Sequence, residues 1–142
     1  MIFELFNGVV KMEITEQLKR KVWEQGREVE GYDAEHVRKD ACDAYMIYED
    51  YGEQTMFGWQ IDHVCPKSLL EKLGYNEEEI WNIDNLRPMQ WQNNLSKSDD
   101  YPSYMSAITS DGDNNIERED SKMVNAKRRQ KIQQLFPRLK MD

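Results

Sequence analysis

Positive charge is what this 142-residue chain has least of: 19 lysines and arginines face 27 aspartates and glutamates, a net charge of −8. That balance argues against non-specific coating of nucleic acid, because attraction to phosphates supplies most of such affinity. Cysteine is scarce too. Cys42 and Cys65 are the two present, too few for a disulfide framework and without the paired CxxC spacing of a structural zinc site, so a reducing, cytoplasmic setting is expected. No apolar run approaches the length of a membrane span, which sets membranes aside as a partner. The opening MIFELFNGVV lacks a basic leader and a small-residue cleavage site and does not read as a secretion signal. There is no internal repeat.

What remains suits one domain over residues 1–142 with a modest core. Charge is unevenly spread: residues 1–61 carry a net −6, 62–98 a net −2, 99–121 a net −6, and 122–142 a net +6. The N-terminal part, about 12–56, reads as mainly helical. Thr15 caps a helix through Gln25 with Leu18 and Val22 on one face and Gly26 as its stop, and a second helix is expected over Asp33–Ala41. Tyr45–Tyr48 reads as extended, broken at Tyr51-Gly52. Phe57–Val64 and Leu86–Gln90 read as strands and Trp91–Lys97 as a helix. Between the strands, Leu69, Leu70 and Leu73 before Gly74 suggest a short helix, and Asn76 caps another. The acidic stretch SDGDNNIERED, about 109–121, reads as a mobile loop. A basic helix over about 122–140 follows, with Ile132, Leu135 and Phe136 on its core side.

The densest chemistry lies in GWQIDHVCPKSLL and NIDNLRPMQWQNNLSKSDD. An apolar run ends in Asp62-His63, and Asn85 and Asn94 follow nine residues apart. Hydrolysing a phosphodiester at neutral pH needs a Lewis acid at the phosphate and a base for the attacking water. A carboxylate beside a histidine supplies both, provided the strand bends so that neighbours converge, and Pro66 is placed to help. Taken singly, each residue has an ordinary role: a surface Asp-His pair, Asn as cap or turn former, Lys97 as a solvated helix residue. Trp59, Trp81 and Trp91 read as core, and His36 as a plain surface residue. The joint spacing raises the chemical reading above these.

That spacing resembles the HNH endonuclease family, whose core is two strands and a helix around one metal ion. The likeness runs from about Gly58 to Asp100, and the Asn94-Leu95-Ser96-Lys97 run matches the family's usual helix ending. It implies an α+β fold with helices around a ββα-metal core at about 57–100. Residue by residue, it implies Asp62 as a metal ligand, His63 as general base, Asn94 as second ligand and Asn85 as the residue that ties the loop and aims His63. Lys97 and Arg87 would meet substrate. An Asp and an Asn oxygen form a hard site, which favours Mg²⁺ or Mn²⁺, one per site. The implied activity is hydrolysis of nucleic acid, DNA foremost, to a 5′-phosphate and 3′-hydroxyl. One such site cuts one strand, so duplex breaks call for a homodimer or two encounters.

In the tail, Lys127, Arg128, Arg129 and Lys131 offer an electrostatic handhold for the substrate or simply the solvated face of a helix. The rival reading is an HNH-fold binding protein, catalytically inactive or dependent on a protein partner, within a larger phage, defence or mobile-element assembly. No sequence-reading module such as a helix-turn-helix or zinc finger is visible.

Overall fold

The computed structural model describes residues 2–6 and 9–140, with side chains from Met12 onward. It is an α+β arrangement of small antiparallel sheets and short helices. β1 (Ile2–Phe6) and β2 (Val9–Glu13) form a hairpin. Helix α1 (Glu16–Trp23) follows, with the Thr15 hydroxyl accepting from the Leu18 amide at 3.1 Å, as its sequence predicts. Leu18, Val22 and Trp23 bury its apolar face.

The Asp33–Ala41 segment is not the helix its sequence suggests. After a turn it enters β4 (Val37–Lys39), the middle strand between β3 (Arg27–Glu28) and β5 (Tyr45–Ile47). Pairing on both sides overrides a helical propensity that is only a weak prior. The acidic 109–121 stretch is likewise not a loop. It lies in the hairpin of β8 (Ser103–Asp111) and β9 (Asn114–Met123), which turns at Gly112 (φ +60°). A charged, one-sided hairpin keeps its polar side chains in water while its ladder satisfies the backbone.

The centre of the fold follows the predicted boundaries closely. β6 (Trp59–His63) pairs antiparallel with β7 (Leu86–Gln90), placing Asp62 opposite Arg87 and His63 opposite Leu86. Helix α4 (Trp91–Lys97) leaves β7 directly, its start capped by Gln90, whose side chain accepts from the Gln92 and Asn93 amides. Between the strands stand α2 (Lys67–Lys72), stopped at Gly74 (φ +88°), and α3 (Glu77–Ile80), opened by a capping box between Asn76 and Glu79. Helix α5 (Ala126–Leu135) docks through Ile132, with Phe136 and Leu139 buried just beyond it.

The core gathers Trp23, Trp59, Met46, Leu70, Ile80, Leu86, Met89 and Phe136. Trp59 has no exposed surface and packs against Trp23, Tyr48 and Tyr51 with ring centroids 4.9–5.8 Å apart. Each such side chain contributes about 1.5–3 kcal/mol by burial, which keeps β6 rigid up to its polar end. Among the described residues no helix is long and apolar enough to cross a membrane.

Candidate functional site at the end of the central hairpin

β6 stays extended through His63, so Asp62 and His63 diverge to opposite faces and do not converge as the proposed bend required. Pro66 instead stands at the start of α2.

On the α4 side, Asp62 is 3% exposed. Its Oδ2 accepts from Arg87 Nε at 2.9 Å, and its Oδ1 lies 3.2 Å from Lys97 Nζ. Lys97 is fully buried and also donates to the His63 carbonyl at 3.1 Å. It therefore points inward rather than toward a substrate. Burial pushes its pKa down while Asp62 opposes that shift. Arg87 has the opposite outcome: although burial lowers its pKa, Asp62 and other neighbours hold it above the ordinary value. Asn94, three residues before Lys97 on α4, faces β6 two residues before Asp62. Its Nδ2 donates to Gln60 Oε1 at 2.8 Å beside a shallow cavity of about 370 Å³.

On the opposite face, the His63 ring meets Trp81 edge-on at 4.4 Å between centroids. Nε2 is enclosed without a hydrogen-bond partner, leaving Nδ1 as the nitrogen able to meet a water molecule. Burial holds its pKa down at about 4, with Asp62 pulling up and Lys67 pushing down. The imidazole is thus neutral at pH 7, the form a proton acceptor needs.

Asn85 is the pin between these faces. Fully buried, it accepts from the Cys65 amide at 2.9 Å and donates to the carbonyls of Cys65 and Ile80, both at 3.2 Å. It thereby fixes the chain two residues beyond His63.

Whether Asp62 and Asn94 fit a divalent ion turns on donor chemistry and access. One carboxylate and one amide oxygen suit a hard cation, but Asn94 contacts Gln60 rather than Asp62, and Asp62 does not line the cavity beside it. Both Asp62 oxygens are engaged, by Arg87 and by the Lys97 ammonium, so a metal ion there would have to displace Lys97. Elsewhere, Asp33, Glu35 and His36 form an exposed group whose potential ligand atoms lie within 4.8 Å of one another. The Asp33 carboxylate already accepts from the Glu35 amide at 2.9 Å, and His36 Nδ1 pairs with Glu49.

The tail residues separate. Arg128 donates to the Asp84 carbonyl at 2.8 Å, next to Asn85, and shares a cavity with Arg87. Lys127 is exposed beside it, whereas Arg129 turns back to the Val124 carbonyl at 2.9 Å.

Three positioning residues escaped the sequence reading. Asp40 is buried and accepts from the amides of Cys42, Ala44 and Gln90 and from Asn93 Nδ2, at 2.9–3.1 Å. Asn93 accepts from the Ala107 and Ile108 amides, both at 2.8 Å, across the β8 irregularity. Gln90 caps α4. The one available signal was Asn93 beside Asn94, since adjacent helix residues point about 100° apart and cannot share a role. Comparison of the chain with protein-family models, with curated proteins and with solved structures finds no match.

Proposed function

We propose that the chain is an HNH-type endonuclease that hydrolyses phosphodiester bonds in nucleic acid, with DNA as the preferred substrate. The observation that carries this reading is the strand–strand–helix unit β6–β7–α4, with Asn85 pinning the loop just after a neutral, partnerless His63. His63 accepts the proton of the attacking water through Nδ1. Trp81 limits the ring's rotation and Asn85 fixes the backbone that carries it, so the base is oriented before substrate arrives. A divalent ion, Mg²⁺ or Mn²⁺, would be held by Asp62 and Asn94 in exchange for Lys97 and, when bound, would supply charge neutralisation at the phosphate. Because Asp62 and His63 project from opposite faces of β6, the ion and the base meet at one phosphate only if the strand end bends.

A second reading rests on the same residues. Asp62 is already neutralised by Arg87 and Lys97, and if that arrangement persists the unit is a catalytically silent binding fold or one activated by a protein partner.

Nicking of supercoiled plasmid with Mg²⁺, Mn²⁺ or EDTA, by the wild type and by His63→Ala, separates the two. The nuclease reading expects metal-dependent nicking that drops about 10²–10⁴-fold in the variant with an unchanged circular dichroism spectrum. Equal nicking by both proteins removes His63 as the base, and no nicking by either favours the binding fold.

A further inference from the structure

Two neighbouring cavities run along the side of the molecule where the start of α5 meets the α1–β3 connection and the end of β4. The first, about 160 Å³, is lined by Arg27, Lys39, Arg87 and Arg128, with Asp40 as its one acidic wall residue. The second, about 280 Å³, is lined by Lys127, Arg128 and Lys131, with Asp84 opposing them. Gln25, Asn125 and Arg128 belong to both, so the two form one groove. Six basic side chains against two acidic ones is the reverse of a chain whose net charge is −8.

The pairing within the groove is incomplete. Arg27 and Lys39 share the single carboxylate of Asp43, Lys131 reaches Asp84 at 3.7 Å, and Arg128 has a carbonyl as its partner. Arg87 is the decisive member. Its side chain is 9% exposed, it spends Nε on Asp62, and its Nη2 is buried without any hydrogen-bond partner. Its guanidinium carbon lies 5.5 Å from the Tyr104 ring centroid and the side chain borders the first cavity; arginine is the side chain best matched to phosphate oxygens.

We infer that this groove binds the phosphate backbone of a nucleic-acid strand, with Arg87 and Arg128 at its centre. The inference deepens the nuclease reading and rests on it for the identity of the polymer. A strand, rather than a lone phosphate, matches two joined cavities with basic residues along both. His63 lies apart from the groove, on the other face of β6 beside Trp81, Lys67 and Glu77. The groove therefore holds the strand on the Asp62 side of β6, where Arg87 donates to Asp62 at 2.9 Å, and contributes affinity, not chemistry.

The test is fluorescence anisotropy of labelled single- and double-stranded oligonucleotides in EDTA, where no cleavage occurs. It compares the wild type with Lys127→Glu/Lys131→Glu, with Arg128→Ala, and with Lys72→Glu on exposed α2 as a control. Both exposed lysines are replaced without touching the core, so folding survives even if Arg128→Ala loses stability. The expected result is at least tenfold weaker binding in the double variant, and a salt dependence whose log–log slope falls by about one per cation removed. Lys72→Glu should match the wild type. Unchanged affinity in the folded double variant overturns the groove. Equal weakening by Lys72→Glu reduces the effect to net charge and also overturns it. Inorganic pyrophosphate that competes at the oligonucleotide's own concentration reassigns the site to a small phosphate ligand and overturns the strand. Plasmid nicking distinguishes the two proposals. Groove-dependent binding without nicking leaves the groove and removes the nuclease, and His63-dependent nicking with groove-independent binding does the reverse.

Discussion

Asp62 and His63 adjoin in sequence, yet the two faces of the hairpin treat them in opposite ways. On the α4 face a carboxylate is enclosed with two cations, and each of its oxygens has a charged partner. On the Trp81 face a half-buried imidazole has no hydrogen-bonded charge, and its Nε2 is left bare. A compensated buried charge holds structure together; an uncompensated buried base is kept neutral at a cost in stability and is available for proton transfer. The contrast makes Asp62 the residue that holds the hairpin against α4 and leaves His63 as the candidate base of the proposed nuclease.

Breaking the Asp62 side should produce the largest loss of stability. Asp62→Ala strands Lys97 and Arg87 in the core without an anion and should cost about 3–5 kcal/mol, measured by urea unfolding. Lys97→Met should cost less, since Arg87 still neutralises Asp62 and methionine fills similar space. It should also enlarge the thermal shift produced by Mn²⁺, because the ammonium no longer competes for Asp62. An Mn²⁺ response identical to the wild type would mean that Asp62 takes no metal.

Asn85→Ala sits between the faces and should cost at least about 1–3 kcal/mol, the penalty for one unpaired buried group, since it leaves the Cys65 amide and the Cys65 and Ile80 carbonyls without their partner. If Asn85 aims His63, nicking by the folded fraction falls further than stability alone explains. A rate that tracks only the folded fraction would make Asn85 purely structural.

The sharpest test is in pH. His63 has a folded pKa near 4, below the unfolded value of about 6.5. Its neutral burial is therefore fully compatible with folding above pH 6.5. Between 6.5 and 4 the unfolded chain binds the proton more readily, so stability falls with pH across that window. His63→Asn should flatten that slope. In kinetics, the acid limb of kcat/KM should lie near pH 4 rather than near 6.5, and a limb at 6.5 would show the imidazole to be more solvated than its contacts with Trp81 allow.

The hairpin and α4 were legible because their signals are local. Alternating residues ending at Asp62-His63, the Leu86–Gln90 run, and a helix beginning at Trp91 each specify their own conformation. Asn85's role as the loop's tie could be expected from the family resemblance, and its contacts with Cys65 and Ile80 agree with that role. Lys97 was harder. Nothing in its sequence neighbourhood distinguishes an inward ammonium from a solvated one, because the deciding partner, Asp62, lies 35 residues earlier. The same holds for Asp40, whose ligands are amides from residues 42, 44 and 90 and the side chain of Asn93. The Asn114–Met123 strand was obscured by composition: its acidic residues read as solvent-loving, and they are, but on the outside of a ladder.

Asp40 carries a consequence of its own. Its hydrogen-bonding partners are neutral N–H groups, and although it borders the first cavity it is only 2% exposed. Screening weakens exposed charge pairs and phosphate contacts but acts little on such an enclosed knot of dipoles. Rising salt should therefore empty the groove long before it loosens the join between β5, β7 and α4, and a single salt titration can strip the protein of its ligand while leaving its architecture standing.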